Sequence, residues 1–297
     1  MTFFDSQVVY GLVMTSRTKG LTLVAISALL FSTPGLFTRG VSASGWDVIF
    51  WRGVFGILFT GAYLVWRGQL REQLSRFGWT GWANALLWST GAIGYLQAYK
   101  LTTIAEVSLI YGAAPILAAL LAWIWFGERP RNIVLAASLL AFIGVAVIGA
   151  GALGAGHLLG DALALWMTIT VAISFNLFRK YPDTPAAASA IVASAIALVP
   201  SLIFGDPFHT SAQDIAVLAV FGAVFSVASI LLAEGSKYLP AGETALMSNL
   251  EVPVQPALAF LVFAEWPSSG AFAGGALILI AIMVSSWPNR GTVLVPE

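Results

Sequence analysis

The chain is expected to be an all-α integral membrane protein. Ten transmembrane helices would form two inverted-topology five-helix repeats around a central cavity. Three observations predict this: a composition too apolar for water, basic residues that alternate in number across ten apolar segments, and a self-match after 137 residues. Of 297 residues, 59% are hydrophobic and 9% are charged, with a mean hydropathy of +0.88. Soluble domains carry about 25% charged residues, so lipid must be the solvent for much of this surface. Net charge is zero and no basic run occurs, which argues against nucleic acid as a partner. The absence of cysteine removes disulfides, thiolate metal sites and Cys nucleophiles. The first eighteen residues include Asp5 and lack the basic, apolar, small-residue order of a cleaved leader, so none is expected.

A spanning helix needs about 20 mostly apolar residues. Such segments fall at 20–38, 46–66, 79–99, 104–126, 132–150, 157–178, 185–205, 212–234, 241–263 and 268–287. Pro34 interrupts the first, and Pro253 and Pro256 interrupt the ninth. This leaves residues 1–19 and 288–297 as terminal segments, with repeats over 20–150 and 157–287. With a cytoplasmic N-terminus, 11 of the 14 basic residues fall on the cytoplasmic side, and Arg39, Arg52 and Lys100 on the other. That bias is the orientation signal of membrane proteins. Both termini are therefore expected in the cytoplasm. Trp46, Trp51, Trp66, Trp79, Trp82, Trp266 and Trp287 lie near span ends, as interfacial anchors do.

Sliding the chain by 137 residues superimposes residues 100–130 on 237–267. Lys100 meets Lys237, Glu106 meets Glu243, Phe126 meets Phe263, Glu128 meets Glu265 and Pro130 meets Pro267. The shift maps span four onto span nine, so each half holds five helices, and an odd number inverts the second half. Inverted repeats are a hallmark of secondary transporters, whose sites lie near midplane between the halves. The motifs "FGERP" and "FAEWP", which close the two matched helices, and "ALMSNLEVPVQPALAFLVFAE" resemble the drug/metabolite transporter superfamily, EamA-type, over about residues 20–287. The aromatic-rich third and sixth helices are most similar to bacterial aromatic amino-acid exporters. The chain departs from that pattern in one respect, with Glu-Val-Pro at 251–253 where many members have Glu-Pro. The resemblance implies export of small metabolites, amino acids included, across the cell inner membrane.

Helical phase sorts the polar residues. In the ninth span Thr244, Ser248, Glu251 and Gln255 fall on one stripe. A charge facing lipid costs about 2.5–3.5 kcal/mol on insertion scales, so the stripe should face protein or water. The adjacent prolines free backbone carbonyls, which hydrocarbon tolerates only beside protein or a wet cavity. This helix is therefore expected to line the cavity and bend there; a polar seam between helices is the competing arrangement. The third span offers Asn84, Trp88, Gly91, Tyr95 and Tyr99, and the fourth Ser108, Tyr111, Gly112 and Pro115. Trp166 and Thr170 are candidates in the sixth. An aromatic lining suits a flat, partly apolar solute. Glu128, Glu265 and Pro130 are expected to cap or end helices, and Glu234 and Glu243 to pair with Lys237. His157 and His209 fall near connectors, where no metal role is expected. Gly270-x-x-x-Gly274 should let two backbones approach, in tenth-helix docking or a dimer contact.

The expected partners are a small solute and lipid, with no cofactor, and a monomer is compatible with this reading. An intramembrane serine protease would need a deep His, and no Gly-x-Ser-x-Gly occurs. An aspartyl protease would need two membrane Asp residues, and only Asp161 approaches a span. A channel would require a ring of donors or charges around a through-pore, which one inverted repeat does not supply. A proton-coupled exporter of drug-like cations is the competing transport reading, kept open by Glu251.

Overall fold

Every regular element is a helix, because hydrocarbon leaves a backbone amide no partner outside its own segment. The computed structural model describes residues 4–127, 132–239, 244 and 247–285. Side chains are described from Ser16 onward, save Val134, residues 151–155, Ile282 and Ser285. Glu128, Pro130, Glu243 and the tail after residue 285 lie outside the described residues. The helices are α1 (Phe4–Phe31), α2 (Pro34–Arg39), α3 (Gly45–Trp66), α4 (Leu70–Ser75), α5 (Trp79–Leu101), α6 (Ile104–Tyr111) and α7 (Ala114–Phe126). They continue as α8 (Asn132–Ala155), α9 (Leu158–Lys180), α10 (Ala186–Phe204), α11 (Ala212–Gly235), α12 (Glu251–Phe263) and α13 (Ser269–Ser285). No strand occurs among the described residues.

Among the described residues, six stretches are long and apolar enough to cross a bilayer: Ser16–Arg39, Gly45–Trp66, Ile104–Phe126, Leu158–Lys180, Ala186–Phe204 and Ala212–Tyr238. Leu135–Ala150, Glu251–Phe263 and Ser269–Ala281 are shorter apolar helices. Helix α5 has the length but also carries Asn84, Ser89, Thr90, Gln97 and Lys100. Starts are set by side-chain caps. Ser44 with Asp47 and Thr103 with Glu106 form reciprocal capping boxes on α3 and α6, and the Ser211 hydroxyl accepts from the Asp214 amide on α11.

Two expected spans prove to be pairs of half-helices, and a third is interrupted. The first breaks at Ser32 and Thr33, just before Pro34. The fourth, expected to be continuous, breaks at Gly112–Ala113, where Pro115 sits in the first turn of α7. The ninth turns at Asn249–Leu250 before α12 begins at Glu251. Pro253 falls in that first turn, where an amide has no helical partner to lose. Pro256 lies inside the helix.

The half-helices α7 and α12 keep the 137-residue register: their bounds coincide after that shift. Their ends coincide too. Gly127 closes α7 with φ 69°, and Ala264 closes α12 with φ 53°, both left-handed. Packing repeats the same relation. Helix α5 lies on α9 as α1 lies on α11, and α5 lies on α10 as α11 lies on α3. Helix α8 lies on α13 at a close crossing, where a Cβ on Gly274 would run into the Gly144 carbonyl oxygen. Gly274 thus serves docking within the chain. Two apolar cores result. One gathers Ile104, Val107, Ile110, Ile148, Val252 and Ile278; the other gathers Val48, Ile49, Leu96, Leu218 and Phe221. Tyr95 packs against both.

Ala264 is the non-glycine residue with positive φ among the described residues. The left-handed conformation costs a Cβ-bearing residue about 1–2 kcal/mol, more than glycine's added unfolded-state freedom of about 0.4–1 kcal/mol. Ala264→Gly is expected to stabilise the protein by about 1 kcal/mol on those figures. Gly127→Ala should destabilise it by a similar amount. Thermal unfolding of detergent-purified variants measures both.

Candidate functional site

Breaking a helix inside a membrane places side chains and freed backbone groups at depth, and the breaks here converge with α5 on one polar centre. Glu251 opens α12 and is 8% exposed; the Tyr111 hydroxyl, at the end of α6, donates to its carboxylate. One turn further along α12, the fully buried Gln255 faces α5. The Tyr99 hydroxyl lies 2.6 Å from Gln255 Oε1 and 2.6 Å from the Tyr95 hydroxyl. Having one proton, it donates to the amide oxygen and accepts from Tyr95. The Tyr95 and Tyr99 rings are 4.7 Å apart. Gln255 Nε2 has no partner, and an unmet buried donor costs about 1–3 kcal/mol.

Arg52 joins this centre and was expected elsewhere, among the connector charges. It lies seven residues into α3, about 10 Å along the axis. Its guanidinium stacks 4.5 Å from the Phe225 ring centroid and 5.9 Å from that of Phe221. Phe225 lies thirteen residues into α11, about 20 Å along its axis. The starts of α3 and α11 share one end of the bundle, because the Ala43 amide donates to Asp214 Oδ2 at 3.2 Å. The guanidinium is therefore turned inward, not back toward the interface. Phe37 stacks on Phe221 at 5.1 Å and Phe31 meets Phe225 at 5.4 Å, so α1 and α2 pack aromatic rings against the two α11 phenylalanines that back Arg52. Cation–π contacts contribute about 0.5–2 kcal/mol each, less than a lone charge at depth costs. A charged residue seven positions inside an apolar span was the available signal.

The other expected site residues are placed as follows. Thr170 is buried, donates to the Met167 carbonyl and meets Gly91 of α5. The Trp88 ring lies 5.6 Å from Phe178 of α9. Trp166 of α9 is 45% exposed, with an edge close to Gly94 of α5. Asn84 is fully buried, with neither amide atom partnered. Ser108 is fully buried and donates to the Ala105 carbonyl. Thr244 and Ser248 are half-buried, ahead of the Asn249 turn. The structure therefore brings Tyr95, Tyr99, Tyr111, Glu251 and Gln255 together. Asn84, Trp88 and Thr170 lie along α5 and α9 away from that cluster. A separate cleft of about 620 Å³ lies between Arg76, Thr80 and the connector Lys180–Thr184, remote from the polar centre.

One end of the bundle, carrying Arg39, is knotted by polar contacts just beyond this centre. Arg39 Nε donates to the Tyr99 carbonyl at 2.9 Å, Nη1 to Glu265 Oε2 at 2.8 Å, and Nη2 to the Thr102 carbonyl. Glu265 Oε1 accepts from the Ile104 amide at 2.7 Å, capping α6 while ending α12. The Thr102 hydroxyl donates to Glu106 Oε2 and lies 2.9 Å from Asp161 Oδ1. His157 Nδ1 is 3.1 Å from the same Glu106 oxygen. At the opposite end Lys237 pairs with Glu234 at 2.7 Å, as expected, and Lys19 reaches the Tyr238 hydroxyl at 3.3 Å. Among the described residues no cluster of His, Asp and Glu could hold a metal ion.

The sequence pattern of the EamA-like transporter family matches residues 18–150 and, a second time, residues 155–287. A Bacillus subtilis (strain 168) protein named uncharacterized transporter YwfM is 25% identical over 279 residues, which cover 90% of this chain and 93% of that protein. A probable biotin transporter of Pseudomonas aeruginosa is 28% identical over 205 residues, covering 65% of this chain and 70% of that protein. A solved crystal structure at 20% identity has the same fold, with a TM-score of 0.64 over 93% of this chain and 100% of that chain.

Arg39 serves three acceptors at the ends of two helices, α5 and α12, so its loss strands two carbonyls and a carboxylate. Arg39→Gln is expected to lower stability by about 1–3 kcal/mol, read as a fall in the thermal midpoint. The chain contains no native cysteine, so one introduced thiol reports access. Phe37→Cys should react faster with an impermeant thiol reagent added on the Arg39 side when Arg39→Gln is also present.

Proposed function

The chain belongs to the EamA-like transporter family, and on that premise we propose that it is a secondary transporter exporting small metabolites across the cell inner membrane. Amino acids, aromatic ones included, are its proposed substrates. Transport rather than catalysis is what the family and the relatives' names indicate. The observation carrying the proposal is the hydrogen-bonded centre of Tyr95, Tyr99, Tyr111, Glu251 and Gln255, built where two half-helices meet α5 at depth. Ordinary core packing does not place a carboxyl, an amide and three phenols together in hydrocarbon.

The path to that centre is proposed to alternate between two inverted five-helix halves. The doubled family match, the shared register of α7 and α12, and the reciprocal packing of α5 on α9 and α1 on α11 support that symmetry. With both termini proposed to be cytoplasmic, the Arg39 end would face outward, and its polar contacts support reading it as the closed end. Asn84, Trp88, Ser108, Trp166, Thr170, Thr244 and Ser248 complete the proposed lining in other stages of the cycle. The aromatic walls around Arg52 suit a flat solute. Biotin, after which the Pseudomonas aeruginosa relative is named, is another flat solute, and it belongs in the same substrate panel.

A proton-coupled reading rests on Glu251, a buried carboxyl with one phenolic partner. It extends to cationic solutes, which Arg52 in the same centre would repel.

Purified protein in liposomes should show saturable uptake of phenylalanine or tryptophan, stimulated by the same amino acid trapped inside. Non-saturable flux without counterflow would overturn the carrier reading. Tyr99→Phe removes the bond to Gln255 and is expected to weaken apparent affinity about tenfold, the equivalent of about 1.4 kcal/mol. Glu251→Gln should abolish any dependence on an imposed pH gradient; unchanged dependence would remove Glu251 as the proton carrier.

A further inference from the structure

We infer that Arg52 is the carboxylate-binding residue of the transport site, so that the solute carries a carboxylate held by this guanidinium. The inference rests on the transport reading above and adds the chemistry that the site selects. Arg52 is half-buried, and its head points into the bundle beside Phe225. The space it faces is therefore between helices, where a charge is tolerated only beside water or a partner. Among the described residues no carboxylate pairs with it, and its direct contacts are two aromatic faces. Tyr95 lies within electrostatic reach of both Arg52 and Glu251, while those two residues form no ion pair. The centre thus presents a cation with no internal counter-ion and, separately, a carboxyl already bonded to Tyr111.

A guanidinium offers a planar fork of donors that fits a carboxylate in two parallel hydrogen bonds. Among the described residues no hydrogen-bond acceptor takes up that fork, and the guanidinium lies over two aromatic rings. The charge count favours a monocarboxylate over a phosphate. Arg39 is spent on Glu265 and two carbonyls, and Lys100 donates to the Val41 carbonyl at 2.9 Å. Both cations are held at the Arg39 end of the bundle, beyond the centre that Arg52 faces. Phe31, Phe37, Phe221 and Phe225 then give the apolar body of the solute a surface beside its charged end.

The test compares solutes differing only in that group, in liposomes holding wild-type protein, Arg52→Lys or Arg52→Gln. Phenylalanine is set against phenethylamine, a cation that lacks the carboxylate, and 3-phenylpropionate against its neutral amide, the pair that gives the acid-to-neutral ratio. Wild type should favour each acid at least tenfold. Arg52→Gln should reduce the acid-to-neutral flux ratio at least tenfold, and Arg52→Lys, which keeps the charge without the fork, should fall between. A purely structural role would lower all probes in parallel and leave the ratio unchanged, which overturns the inference. Should neither variant give a monodisperse preparation, the wild-type ratios decide, and equal handling of acid and neutral probes overturns it. Wild type that moves no probe sinks the amino-acid reading instead. Thermal-shift binding of 3-phenylpropionate against its amide then judges Arg52, and absence of acid selectivity there overturns the assignment.

Discussion

In a bilayer, every peptide group that leaves a helix must be satisfied from inside the protein. The breaks at Thr33, Gly112–Ala113 and Asn249–Leu250 answer that demand differently from the unbroken helices around them. At the Arg39 end, the carbonyls of Tyr99 and Thr102 are taken up by one guanidinium, and the Ile104 amide by Glu265. At depth, the break before α12 sets Glu251 on its first turn, with the amide-free Pro253 two residues on. Half-helix starts carry a partial positive charge from their unpaired amides. A carboxyl at Glu251 therefore sits where the backbone favours an acceptor.

Much of the fold was legible because hydrocarbon leaves the chain few options. Apolar length located most of the described helices within a few residues, and the 137-residue match anticipated the common bounds of α7 and α12. The break in the fourth segment was not legible. Residues 104–126 read as one continuous apolar run, and a proline two positions into a new helix leaves almost no mark on hydropathy. Helix α1 likewise runs back to Phe4, through polar residues that a twenty-residue apolar window does not include.

The site was legible where phase and chemistry agreed. Glu251 with Gln255, and Tyr95 with Tyr99, were expected on inward stripes, and they meet one another in the structure. Phase says which residues share a face but not what lies opposite. Gly91 and Thr170 share such faces, and each finds the other across the α5–α9 contact. Arg52 was missed for a different reason. Counting basic residues per connector assigns every Arg near a span end to the interface, since long side chains commonly reach back to it. Only the aromatic rings contributed by α11, distant in sequence, turn this one inward.

Tyr99 links the two polar regions through one residue. Its carbonyl accepts from Arg39 in the knot at that end of the bundle, and its hydroxyl holds Gln255 in the centre. Backbone and ring belong to the last two turns of a helix and cannot shift independently by much, because packed interiors give way in discrete steps. Gln255 and Glu265 both lie on the chain through α12, so the knot and the centre are joined a second time across that half-helix. Opening the Arg39 end must therefore release three acceptors of Arg39 together, and the atoms released are covalently continuous with those that surround Glu251. A solute that displaces the Tyr99 hydroxyl from Gln255 acts directly on a helix that also anchors the knot. The geometry thus supplies a contiguous mechanical connection between occupancy and closure, built from one tyrosine and one broken helix.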